Sequence, residues 1–202
     1  MLVDTAVASL VVGKLRGGTL SSLGGVPFKR VECIVASLVI ETAIVGFGLR
    51  GTSVVRAVAP YAFFLGYVLL LYAIWENRRI RWMPLIGIGV ALNFLVILCN
   101  GMRMPVSADM LDAVGMARQV ASIEAGNVLT YRLIDSGTRL WQLGDVIPIG
   151  WPYPIHRVIS VGDVLMAVGV FLLIQHAMLA NGSPRTRLGR RAGTLGRTWR
   201  RS

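Results

Sequence analysis

The chain has 202 residues and a mass of 21.9 kDa, the size of one domain. Hydrophobic residues make up 54% and charged residues 15%, with a mean hydropathy of +0.64. A soluble domain carries roughly 25% charge, so this composition excludes an ordinary water-soluble globule and points to a multi-pass membrane protein. The net charge of +11 would suit nucleic acid, but the basic residues flank apolar runs and crowd the tail, where they set membrane orientation; no nucleic-acid partner is expected.

The first apolar run, residues 2–13, is short. Lys14 and Arg16 follow it instead of preceding it, and no small-residue cleavage site is clear, so it reads as a retained helix and not a signal peptide. Residues 31–49, 57–75, 84–99 and 158–178 reach or approach the roughly 20 apolar residues that cross a bilayer. The sequence therefore predicts an all-α polytopic bundle of about five spans over residues 1–180, with a partly helical loop at 100–157. Residues 181–202 are Gly, Arg, Ser and Thr with almost no large apolar residue, which predicts a disordered tail.

The connections fix the orientation. Residues 14–30 hold four Lys or Arg, 76–81 hold three and the tail holds seven; on the opposite side, 50–56 hold two and the 100–157 loop holds five. The richer side is cytoplasmic, which places the N-terminus and the long loop outside.

Within the spans, Glu41 falls mid-way along the second run. A carboxylate there costs about 2.5–3.5 kcal/mol and faces a partner or a wet cavity. Asn93 is the mid-span polar residue of the fourth run and its expected partner. Glu32 beside Lys29 and Arg30 reads as a surface charge partner, and Gln175 and His176 close the last span. Gly46-Phe-Gly48 and Gly87-Ile-Gly89 permit close helix approach without specifying a neighbour. Cys33, Cys99 and the lone His156 have no metal-ligand spacing, so no metal and no cofactor are expected.

The long loop opens with Asn100-Gly101, a turn signal, and Pro105 extends the chain before it. Ser107 followed by Asp109 and Asp112 predicts a helix start, and apolar spacing carries that amphipathic helix over 108–124. It either lies on the outer membrane surface or packs on the end of the bundle. Trp141, Trp151 and Tyr153 suit an interfacial belt, and Pro148, Pro152 and Pro154 exclude regular helix. A non-helical apolar segment at that depth is a pocket wall.

Leu15-Arg16-Gly17-Gly18, Asn100-Gly101 leading to Met104-Pro105-Val106-Ser107, Leu143-Gly144-Asp145-Val146-Ile147-Pro148 and Ile159-Ser160-Val161-Gly162-Asp163 occur in this order. Together, over about residues 1–178, they resemble a family of small bacterial membrane proteins classed as a domain of unknown function. The resemblance implies a membrane fold and a place in the bacterial cell membrane. Glu32 and Glu41 make the early spans more polar than that family's pattern.

Asp145 and Asp163 each follow a Gly on either side of the proline segment. Two carboxyls held together can share a proton and activate water. The C-terminal region is also similar to the lipoprotein signal peptidase family, whose second catalytic aspartate opens the last membrane helix, as Asp163 does here. That resemblance implies an aspartyl hydrolase with Asp145 and Asp163 as its catalytic pair. The Asn before and the Arg after the first aspartate are missing around Asp145. The structural alternative reads Ser160 and Asp163 as a capping box, and Asp145 as a turn residue or a partner of Arg139 or Arg157.

No GxSxG, HExxH, P-loop or Rossmann fingerprint is present. The leading expectation is a bacterial inner-membrane protein that binds membrane lipid, or an envelope protein partner, through its outward loop. The residues expected to do so are Asn100, Arg103, Ser107, Arg139, Trp141 and Trp151, with Glu41 and Asn93 inside the membrane. A transporter built on Glu41 and Asn93 is a third reading, which five spans without an internal repeat make unlike known designs.

Overall fold

The computed structural model describes residues 1–48, 52–151, 153 and 155–180. The tail from residue 181, expected to be disordered, and Pro152 and Pro154, expected to bar helix, lie outside the described residues.

The described chain is mostly helical. Helices α1 (Leu2–Leu15), α2 (Val31–Gly48), α3 (Ser53–Glu76) and α4 (Met83–Cys99) come first, and α7 (Val161–Leu179) comes last. The apolar runs set these helices, and polar punctuation ends them. The Thr52 hydroxyl accepts from the Val55 amide at 3.4 Å and starts α3. Pro84, in the first turn of α4, costs that helix no internal hydrogen bond. By length and composition, α3 and α7 suffice to cross a membrane, and α4 is a shorter apolar helix.

Two asparagines do the same job at two helix ends. The Asn77 amide donates to Ala73 O and to Lys29 O, and its Oδ1 accepts from the Lys29 amide at 2.8 Å. The Asn100 amide donates to Val96 O and to Arg139 O, and its Oδ1 accepts from the Arg139 amide at 3.0 Å. Each side chain closes a helix and clips a distant chain segment onto it.

The α4–α7 connection is more ordered than a loop. It holds β1 (Met104–Val106), α5 (Ala108–Ala113), α6 (Ala117–Glu124), β2 (Tyr131–Leu133), β3 (Ile147–Ile149) and β4 (Arg157–Ile159). Strands β1 and β2 pair in parallel, and β3 and β4 pair antiparallel. These four short strands depart from the all-α expectation. Pro148, which has no amide to donate, sits inside β3 in a sheet of only two strands.

Two further expectations change. The single helix over 108–124 is two helices, because Gly115 takes a φ of +77° that ends α5 before α6 begins. The last helix starts at Val161 and not at 158, because residues 157–159 are spent pairing with β3. Ser107 does start a helix: its hydroxyl accepts from the Met110 amide at 3.4 Å.

The chain forms two compact units. In one, residues 1–27 pack with residues 170–180. Ser9 donates to Phe171 O at 2.9 Å, and Gln175 donates to Ser9 O at 2.6 Å while accepting from Arg16 at 3.0 Å. Gln175, read as a span-end residue, is thus the polar centre of this unit. The other unit holds residues 28–169 and two apolar clusters. Ile44, Ala59, Phe63, Val96, Ile97 and Met104 form one, and Val106, Leu111, Val114, Ile123 and Val158 form the other.

Candidate functional site

The geometry of interest belongs to the unit of residues 28–169. Helices α4 and α7 approach closely at Gly89 and Gly162. A Cβ on Gly162 would collide with the Asn93 side chain and with Gly89 O. That approach lets side chains on the two helices meet. Asn93 Nδ2 donates to Asp163 Oδ1 at 2.9 Å, and the Ser160 hydroxyl donates to Asn93 Oδ1 at 2.8 Å. The Asp163 amide in turn donates to the Ser160 hydroxyl at 3.0 Å, and Asp163 Oδ2 accepts from the Ser160 amide at 3.5 Å. This is the capping box read from the sequence, with Asn93 added to it. The Asn93 amide therefore serves Asp163 and Ser160; the expected hydrogen bond to Glu41 is absent among the described residues. Glu41 is exposed on α2 and lies within electrostatic range of Asp163.

Asp145 is held from both sides by backbone. Its amide donates to Pro105 O at 2.8 Å, its carbonyl accepts from the Ser107 amide at 3.0 Å, and it bridges Val106. The Val146 amide then donates to Ile159 O at 3.2 Å. The residue is 5% exposed, and its buried Oδ1 has no hydrogen-bond partner. Burial, and after it the negative charge of Asp163, pushes the Asp145 carboxyl up to about 8. Burial also raises the Tyr131 phenol, with Asp145, Asp163 and Glu41 adding to the effect. The structure thus brings the two sequence-selected aspartates into one electrostatic neighbourhood together with Glu41. Among the described residues, no three His, Cys, Asp or Glu are arranged to hold a metal ion.

Beside this cluster lies an open cleft of about 550 Å³ lined by Pro60, Asn100, Arg103, Glu124, Tyr131 and Arg132, among others. Two of the expected ligand residues, Asn100 and Arg103, line it. Asn100 is fixed by its three hydrogen bonds, whereas Arg103 is exposed and makes no ion pair among the described residues. Arg132 is paired with Asp135 at 2.7 Å, and Asp135 is further held by Thr138 and the Gly137 amide, which keep its carboxyl below the usual range. Arg56 reaches the turn after α6, where its Nη1 lies 3.8 Å from the place of a Gly126 Cβ.

The other expected residues lie elsewhere. Ser107 caps α5, and Arg139 meets Asn100 through its backbone. Trp141 begins a short 3₁₀ turn, and Trp151 is 90% exposed. His156 Nδ1 contacts Val114 O at 2.9 Å. Sequence reasoning missed Tyr131, which lines the cleft and whose phenol the acids act on. Its signal was available: residues 128–134 are a short apolar and β-branched run between Gly126-Asn127 and Asp135-Ser136-Gly137, a strand pattern.

No solved structure matches the chain. It is 33% identical over 111 residues to an uncharacterized protein of Thermotoga maritima, covering 54% of this chain and 59% of that protein. The aligned part thus spans less than two thirds of that relative's length. Residues 25–175 match the family described as a family of unknown function, DUF5317, a span that holds the cleft, the capping box and all three acids. The chain belongs to the DUF5317 family.

Proposed function

We propose that this is a multi-pass protein of the bacterial cell membrane that binds the headgroup of a phospholipid in the cleft beside Arg103. One observation carries the reading. The cleft opens between the first half of α3, at Pro60, and the end of α4, at Asn100, and it gathers Arg103 and Arg132, with Arg56 nearby. In the five-span topology, that end of the bundle faces outward, at the depth of the outer-leaflet headgroups. Arginines there oppose the charge rule that orients the chain, so a cluster of them calls for an anionic partner.

The chemistry fits a phosphate diester. Arg103 offers a planar set of donors that makes no ion pair with a carboxylate among the described residues, and the guanidinium matches a phosphate in two-point geometry. Glu124 on the cleft wall would meet an ammonium on the same headgroup. Tyr61, Trp141 and Trp151 present exposed aromatic surface, suited to the interfacial zone.

The hydrolase reading has less behind it. Asp163 commits one carboxylate oxygen to the Asn93 amide and the other to the Ser160 amide, as a helix cap does.

Native mass spectrometry of the detergent-purified protein tests the binding. Phospholipid adducts on the wild-type chain that fall severalfold in Arg103→Ala support it. Equal retention in both, or retention of uncharged diacylglycerol as strongly as of phospholipid, would remove it.

A further inference from the structure

The Asp145 carboxyl plays no part in the cleft reading. It is buried, and its Oδ1 finds no donor. A buried polar atom without a partner costs about 1–3 kcal/mol, so its retention asks for a ligand. Titratable groups surround it from several elements. The Asp163 charge acts on it from α7, and its own charge acts on Tyr131 of β2. Arg157 on β4 is the cation that acts on Asp163.

Of the three acids Asp145 is the buried one, Asp163 is half-buried and Glu41 is exposed, and among the described residues no three His, Cys, Asp or Glu are arranged to hold a metal ion. A buried carboxylate whose oxygen has no donor is relieved by taking up a proton. Tyr131 supplies the connection to water: it lines the open cleft, and the Asp145 charge acts on its phenol.

We propose that Asp145 forms an interior proton-binding site that communicates with the cleft past Tyr131. The step is the uptake of one proton by carboxylate to give the neutral acid. Asp145 is the residue that takes it: burial and the Asp163 charge place its midpoint at about 8, so the proton exchanges close to neutral pH. The site is separate from the Arg103 headgroup site, and neither requires the other.

Dicyclohexylcarbodiimide tests it directly. This apolar reagent reacts with protonated carboxyls in dry surroundings: the acid adds across the carbodiimide and the adduct rearranges to a stable N-acylurea, with no other reactant consumed. The full chain in detergent is treated over a range of pH, and the acylurea is mapped by peptide mass spectrometry.

The expected result is labelling of Asp145 that falls about hundredfold between about pH 6 and about pH 10, as a midpoint near 8 requires. Asp163→Asn should move that fall to lower pH, because the charge that favours the proton is gone. Absence of the acylurea from a recovered Asp145 peptide at every pH would overturn the proposal, as would labelling that does not vary with pH. Should Asp163→Asn not fold, the wild-type profile decides alone. The readout contains no lipid, so its failure leaves the headgroup reading standing.

Discussion

Asn93 Nδ2 donates to Asp163 Oδ1 at 2.9 Å and thereby ties the middle of α4 to the first turn of α7. The Ser160 hydroxyl completes the tie by donating to Asn93 Oδ1 at 2.8 Å. Asn93 and Ser160 are both buried, so every polar atom in this junction depends on the others. Ser160→Ala removes a helix cap worth about 1 kcal/mol and strands Asn93 Oδ1, for about 1–3 kcal/mol more. Thermal unfolding in detergent should show a clear loss for Ser160→Ala and a smaller one for Ser160→Thr. An unchanged midpoint for Ser160→Ala would contradict the junction.

Gly162 and Gly89 make that junction possible by removing side chains from the line of approach. Gly162→Ala would drive its methyl group into Asn93 and the Gly89 carbonyl. Because the nearest obstacles include backbone, the helices must separate. The expected cost is about 1–3 kcal/mol, read as a lower unfolding midpoint. Gly24→Ala, where a Cβ meets nothing, should lack that clash and is the matched control.

Asp145 should make stability fall as pH rises. Its folded midpoint, about 8, lies above the unfolded value of about 3.9. Between those two values the folded state holds more protons than the unfolded state, so raising the pH favours unfolding. The unfolding midpoint should decline from about pH 5 to about pH 9 and level off above. Asp145→Asn, which never ionises, should flatten that decline. A wild-type profile that is flat or rising across this window would exclude a buried, proton-holding Asp145.

Asn100 is expected to act on the whole α4–α7 connection. Asn100→Ala removes three hydrogen bonds, of which two hold Arg139, and leaves the Arg139 amide and carbonyl to find new partners. The loss should be about 1–3 kcal/mol. Limited proteolysis should cut more readily around residues 136–140, with α1 protected as before. No change in cleavage there would show that Asn100 does not hold the segment.

What the sequence made readable follows from how local each signal is. The ends of α4 and α7 lie where apolar runs meet Pro84, Asn100 and Ser160. The capping box at Ser160 and Asp163 needs only a three-residue spacing. Asp145 and Asp163 were worth pairing because each follows a glycine beside a proline segment, and the fold does bring them within electrostatic range. The clip between Asn100 and Arg139 spans 39 residues, and the one between Asn77 and Lys29 spans 48. No periodicity encodes either. The strands escaped because three residues are too few to show alternation; Pro148, read as excluding helix, lies in one of them. Glu41 and Asn93 were paired as the two mid-span polar residues, a choice by depth alone. The helices rotate Asn93 toward α7 instead, where Ser160 and Asp163 satisfy it.

The headgroup account is tested most directly by a phospholipid carrying a photoactivatable group on its headgroup, incorporated with the protein into bilayers. After illumination, the account predicts adducts on peptides holding Arg103 and residues 131–135, the two sides of the cleft, and a severalfold loss of both in Arg103→Ala. Adducts spread evenly along the exposed faces of α2 and α3, unchanged by Arg103→Ala, would contradict it.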